Sequence, residues 1–165
     1  MQDKTSVDLQ DFVDAMSRLA NGVNVVTTAG IGGLDGVTVS SACSVTAEPP
    51  TMLACINQEA RAAEGIERSG VLCINVLSVE QSGVSDAFAR RVDGLEDRFS
   101  RGQWGTLVTG SPVLSGAVAA FDCTVEKMIF EGTHKIFIAR VVAAVYGDAE
   151  PLIYGRRTYA KVHWD

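Results

Sequence analysis

Two long strand-like runs set the architecture of this chain. Ala117–Phe130 and His134–Tyr146 are strand-like, the first alternating with the two-residue period of an extended strand, and Glu131-Gly132 turns the chain between them. Shorter β-branched runs precede them. Val23–Ala29 reads as a strand and Gly30–Gly36 as a glycine-rich connection. Val37–Val45 reads as the returning strand of a hairpin. Glu48-Pro49-Pro50 ends it, because proline cannot donate to a ladder. Thr51–Asn57 and the apolar run Val71–Leu77 follow as further strands, and Leu152–Tyr154 and Tyr159–His163 close the chain.

Helical patterns are confined to three connections. Leu9, Phe12, Val13, Met16, Leu19 and Ala20 fall at helical spacing, with Thr5 and Asp8 at capping-box spacing and Asn21-Gly22 as the stop. Residues 59–69 are helical in composition, and Ser78 can cap a helix over 79–90. Residues 91–110 read as a long loop, a length usually kept for function. About seven strands joined mainly by turns do not make the alternating units of a doubly wound sheet. The expected fold is mainly β: an antiparallel barrel with peripheral helices, in one domain over residues 1–165.

Charge and cysteine usage narrow the function. The net charge of −6, without a run of Lys or Arg, argues against a nucleic-acid platform or an electrostatic membrane anchor. No stretch reaches the roughly 20 apolar residues of a membrane span. Met1-Gln2-Asp3-Lys4 lacks the start of a signal peptide. Cys43, Cys55, Cys73 and Cys123 lie in apolar or small-residue runs and form no CxxC pair. They read as four buried free thiols in a reducing, cytoplasmic setting. His163 and scattered acids have no metal-ligand spacing, so no metal site is expected. Slightly positive mean hydropathy, with the apolar run Val71–Leu77, suggests a further buried surface and hence a homodimer.

Candidate chemistry begins with Gly36–Pro50, GVTVSSACSVTAEPP. Thr38, Ser40 and Ser44 fall on one side of an extended strand and Ser41 on the other. Such small hydroxyl positions either ease a tight bend or let a planar polar ligand approach the main chain. The glycines at 30–36 lack a GK[ST] ending, and no G-x-G-x-x-G is present, so a dinucleotide is not held in the Rossmann manner. His134 opens a strand directly after a turn. Arg156 and Arg157 stand between Tyr154 and Tyr159, where a guanidinium can fork onto phosphate or form a solvated turn. Arg98-Phe99 has the same two readings.

GVTVSSACSVTAEPP, TMLACIN, SGVLCINVLSVEQ, the GTH of Gly132–His134 and LIYGRRTY occur in an order that resembles the small flavin reductases. These are the reductase components of two-component flavin monooxygenases, such as those that hydroxylate 4-hydroxyphenylacetate. The resemblance runs from about Phe12 to Tyr159. It implies an FMN-binding split β-barrel, usually a homodimer. It places FMN or FAD along Thr38, Val39, Ser40 and Ser41, with Cys55, Ile56 and Asn57 at the ribityl and phosphate end. Arg61 and Ala62 follow at a helix start, and Phe99 is the loop aromatic near the cofactor. Arg61 departs from the small hydroxyl residue that many relatives carry there. His134, Tyr154, Arg157 and Tyr159 match the groups around NADH, with NADPH as the other donor and His134 as the catalytic position. The implied reaction passes hydride from nicotinamide to flavin N5 and hands reduced flavin to an oxygenase. Two other readings share the fold: a reductase of another acceptor, such as cob(II)alamin or another corrin or a ferric chelate, and a flavin- or haem-binding module without turnover.

Overall fold

The computed structural model describes residues 6–165. In chain order the strands are β1 (Asn21–Gly22), β2 (Asn24–Gly30), β3 (Gly33–Val39), β4 (Ala42–Ala47), β5 (Pro50–Asn57) and β6 (Val71–Val76). They continue as β7 (Trp104–Gly105), β8 (Val113–Leu114), β9 (Ala119–Glu131), β10 (His134–Tyr146), β11 (Leu152–Gly155) and β12 (Thr158–Lys161). The helices are α1 (Leu9–Met16), α2 (Arg61–Ser69) and α3 (Ser82–Phe88). Seven strands form the main sheet in the order β3-β2-β6-β9-β10-β5-β4, and its pairs are antiparallel. The long hairpin β9–β10 supplies its centre. β1, β11 and β12 make a separate three-stranded sheet.

The order explains the barrel. β3 and β4 are the two edge strands, yet only Ser40 and Ser41 separate them in the chain. The expected single strand Val37–Val45 is therefore two strands. Its first half pairs with β2 and its second with β5. At the crossing, Cys55 N–H donates to Ser41 C=O at 2.9 Å and Ser41 Oγ donates to Cys55 C=O at 2.7 Å. The glycine-rich connection is also shorter than its composition suggests. β2 and β3 are in register out to Gly30 and Gly33, leaving only Ile31-Gly32 as the turn. Gly33 takes φ +89°, open to glycine without a side-chain clash.

Two hydrophobic layers flank β2. Val26 enters a barrel interior with Ile56, Leu72, Ile74 and Phe137, and Ala63 and Ile66 of α2 pack against the same layer. Val25 faces the other way, into a layer with Leu77, Phe88, Leu114 and Leu152. β6 lies between β2 and β9, and Leu72–Asn75 are buried. The apolar run Val71–Leu77 is thus explained within one chain and gives no support for an outer interface. Exposed apolar side chains occur elsewhere: Ile129, Phe130, Val142, Val145 and Tyr146 on β9–β10, and Val45 on β4.

α1 is shorter than the pattern over 7–20, and none of its residues is buried. Leu9, Phe12, Met16 and Leu19, placed at helical spacing by the sequence, are about half exposed or more. Asp8 caps α1 by accepting from Gln10 N–H at 2.9 Å, while the Thr5 end of the expected capping box lies outside the described residues. The helix expected over 79–90 is a 3₁₀ turn at Val79–Gln81 followed by α3, with a Ser78–Gln81 capping box. The long loop 91–110 carries a 3₁₀ turn at Arg98–Ser100 and the short β7. The last strand is Thr158–Lys161 rather than 159–163.

The thiols divide. Cys73 and Cys123 are buried, Cys55 is half-buried, and Cys43 is exposed because it lies on the edge strand β4. Burial pushes the Cys123 thiol up to about 12, with the nearby Asp122 charge adding to it, and pushes Cys73 higher still.

Candidate functional site

The crossing at Ser40–Ser41 opens onto a chain of cavities, and its hydroxyls are not equivalent. Thr38 Oγ1 donates to Ser85 C=O at 2.7 Å, so this hydroxyl fastens α3 to β3. Ser41 Oγ is held by Cys55. Ser40 is exposed, and among the described residues its hydroxyl has no partner. Of the three, Ser40 keeps a free donor for a ligand.

A wide cavity, about 480 Å³, lies beside Thr38. Its rim carries Arg61, Arg90 and Arg98, with Asn57 and Ala60 on the β5–α2 side. Arg98 holds its place firmly. Its guanidinium donates to Asp35 Oδ1 at 2.7 Å and Gly36 C=O at 2.9 Å, and lies 5.3 Å from the Phe88 ring centroid. Asp35 Oδ2 also draws Arg61 to 3.6 Å. Arg90 reaches the rim from a left-handed backbone, φ 57°. Ala60 has no side-chain acceptor to cap α2, so the helix start makes no side-chain cap hydrogen bond. Asp35 and Glu59 line the same cavity, so three guanidiniums against two carboxylates leave a net positive charge beside such a helix start, which suits a phosphate.

The middle cavity, about 130 Å³, shares Thr38 and Ala89 with the wide one. Thr38, Val39 and Ser40 form one wall, and Tyr154 and Tyr159 stand opposite with Arg91. The two tyrosine rings meet edge to face at 5.6 Å. Arg91 lies 5.5 Å from the Tyr154 ring centroid. Tyr159 Oη donates to Asp86 Oδ1 at 2.5 Å and sits 2.8 Å from Ser85 Oγ. Burial, followed by the Asp86 hydrogen bond, raises the Tyr159 phenol above its usual range, so it stays a neutral donor.

The other expected site residues are placed as follows. Asn57 reaches the wide rim, and Asn57 Oδ1 accepts from Glu59 N–H at 2.9 Å. Cys55 is half-buried on the same strand, whereas Ile56 and Ala62 have side chains in the buried interior, so only their backbones can meet a ligand. Phe99 packs edge to face on Phe88 at 5.0 Å and on Trp104 at 5.1 Å. It supports the wide cavity from behind without lining it. His134 is exposed at the start of β10, paired in register with Asn57, and its Nδ1 lies 3.0 Å from Thr133 Oγ1. That places it by the wide end, whereas Tyr154 and Tyr159 line the middle cavity. Arg157, in a left-handed turn, pairs with Asp14 of α1 at 2.6 Å. The four expected nucleotide residues therefore do not share one cavity. Sequence reasoning missed Asp35, Ser85, Arg90 and Arg91. Only Asp35 had a visible signal, in a segment read as turn.

Residues 16–163 match the flavin reductase like domain. The chain belongs to that family. It is 44% identical over 155 residues to the FMN reductase (NADH) RutF of Yersinia enterocolitica, covering 93% of this chain and 85% of that protein. It superposes on the flavin reductase PheA2 with a TM-score of 0.88 at 30% identity, over 96% of this chain and 100% of that one. The NADH:FAD oxidoreductase SgcE6 of Streptomyces globisporus, solved in complex with NAD and FAD fragments, superposes with a TM-score of 0.87. Its identity is 27%, over 97% of this chain and 98% of that one. Family membership accords with the mainly β, antiparallel architecture and its peripheral helices. Among the described residues no helix is long and apolar enough to cross a membrane.

Proposed function

We propose that this chain is an NADH-dependent flavin reductase, an oxidoreductase whose flavin is FMN, with FAD as the larger alternative. The observation that carries the reading is the joined pair of cavities. A wide end has three guanidiniums, and a narrow middle runs along Thr38–Ser40 between strand and tyrosines. The relatives named as NADH-using FMN reductases support the choice of FMN and of NADH over NADPH. Bound flavin supplies an N5 position that accepts hydride from a reduced nicotinamide ring. The chain's own work is positioning. Arg61, Arg90 and Arg98 hold the phosphate. Thr38 and Val39 give the ring a flat wall, and Ser40 offers the free hydroxyl. Asn57 and the backbones of Cys55, Ile56 and Ala62 border the ribityl end. His134, beside Asn57, orients the bound pair from the rim.

The same reading makes residues 1–165 one cytoplasmic unit that works as a homodimer. The exposed apolar side chains Val45 of β4 and Val142, Val145 and Tyr146 in the second half of β10 support the dimer. Reduced flavin is the product an oxygenase component consumes. The deciding experiment mixes protein, FMN and NADH without oxygen and follows the flavin absorbance. Bleaching at catalytic protein concentrations is expected. Flavin binding without bleaching would make the chain a binding module only.

A further inference from the structure

Three cavities lie in order along β3 and form one track. Val39 and Ser40 line the middle one, residues 35–38 the wide one, and residues 30–33 a further space of about 190 Å³ at the β2–β3 turn. A ligand that enters at Ser40 and runs down the strand meets them in that order. Asp35 and Arg61 line both the wide cavity and the turn cavity, so they stand at the junction. The carboxylate of Asp35 is divided between two tasks. Its Oδ1 accepts from Arg98 at 2.7 Å and from Gly36 N–H at 2.8 Å. Its Oδ2 faces Arg61 Nε at 3.6 Å. Charge then separates the two cavities. The wide one keeps a net positive charge, from three guanidiniums against Asp35 and Glu59. The turn cavity has none, because Arg61 faces Asp35 and Arg68 pairs with Glu64 at 2.7 Å. Its back wall is already closed up: a Cβ on Gly65 would stand 3.0 Å from Thr28 Cγ2, and one on Gly30 2.9 Å from Ser69 Cβ. One phosphate is favoured before the junction, and a second beyond it would meet carboxylates whose cations are taken.

Resting on the reductase reading, and on its placement of the flavin phosphate in the wide cavity, we infer that Asp35 is a specificity residue. Through Arg61 it bars the turn cavity, and so it selects a flavin whose chain ends in a single phosphate. A terminal phosphate brings roughly 1.5–2 negative charges and three acceptor oxygens to the guanidiniums. The first phosphate of a dinucleotide flavin is a diester, with one charge and two free oxygens. Its second phosphate must cross the junction or turn out into solvent. The native chain therefore takes FMN over FAD. Asp35 acts through Arg61 and does not itself hold the phosphate, which makes it a positioning residue.

The test is equilibrium titration of the full chain with riboflavin, FMN and FAD, read by flavin fluorescence with no hydride donor present. FMN is expected to bind about tenfold or more tighter than FAD, and about tenfold or more tighter than riboflavin. Asp35→Asn keeps an oxygen for Arg98 and Gly36 N–H but sets an amide against Arg61. It should tighten FAD about tenfold and FMN by less than about threefold, so that the ratio of the two constants falls. Arg61→Ser, at a position whose side chain is 74% exposed, should lower the same ratio by weakening FMN, with an unchanged thermal melt. A merely structural Asp35 would shift both flavins together and leave the ratio alone. Equal affinity for FMN and FAD in the native chain, or a ratio unmoved in either variant, would overturn the bar at the junction. Riboflavin binding as tightly as FMN would instead remove the phosphate from the wide cavity, and failure to bind any flavin would sink the reductase reading.

Discussion

Arg98→Ala removes the side chain that ties the long loop to the strand beneath the wide cavity. In the native chain this guanidinium is 20% exposed and its partner Asp35 12%. It makes two hydrogen bonds, one to a carboxylate and one to a main-chain carbonyl. Bonds involving a charged group contribute roughly 1.5–3 kcal/mol each, and breaking a buried pair costs about 3–5 kcal/mol. Two features lower the sum. Arg61 already stands 3.6 Å from Asp35 and can close on it, and water can reach the vacated carbonyl. A net loss of about 2–3 kcal/mol is expected. For a domain of this size, roughly 2–4 °C per kcal/mol gives a fall in Tm of about 4–12 °C. Urea unfolding of Arg98→Ala, Asp35→Asn and the double variant measures the loss and the coupling. Arg98→Lys should recover only part, since an ammonium cannot reproduce the planar fork. A loss under about 0.5 kcal/mol, or additive single variants, would refute the reasoning, because the loop would then be anchored elsewhere.

Ser40→Leu should abolish FMN binding in a flavin titration while the circular dichroism spectrum stays native; retained affinity would move the ring off this strand. His134→Ala should slow hydride transfer by about 10- to 100-fold in stopped flow, from one lost hydrogen bond of roughly 1.5–3 kcal/mol. A lower melting temperature with a normal reduction rate would make His134 structural. With a thiol reagent, Cys43 should react at once and Cys55 more slowly, leaving Cys73 and Cys123 to react only in denaturant. The raised folded-state values of Cys73 and Cys123 give stability that is full below the unfolded thiol value, about 8.5, and lost as pH climbs toward the folded values. Each thiol contributes about 1.4 kcal/mol per pH unit in that window. The urea midpoint should therefore fall above about pH 9, and less steeply in Cys123→Ala.

Much of the fold was legible because periodicity reports burial. The β9–β10 hairpin and the start of α2 stand near where the sequence pattern puts them. The break at Ser40–Ser41 was not legible, since a strand that changes partners keeps its extended backbone and its alternation. The exposure of the α1 face was not legible, because amphipathicity shows that a face is apolar without showing what covers it. Cys43 was misplaced for a related reason: an edge strand with one solvated side can carry the same residues as a central one. The resemblance pointed to Thr38–Ser41 and Asn57, but the middle cavity depends on pairs distant in sequence. Arg91 meets Tyr154 and Asp35 meets Arg98 only through tertiary packing.

The crossing at Ser40–Ser41 is at once the closure of the barrel and the floor of the cavity track. The two positions divide the work: Ser41 bonds Cys55 in both directions and joins the half-sheets, while Ser40 faces the cavities with its hydroxyl free. The seam thus lies under the cavities, and the pieces laid around it — the start of α2 with Arg61, the loop with Arg90 and Arg98, and the β11–β12 hairpin with α1 — can change in length or charge without reopening it.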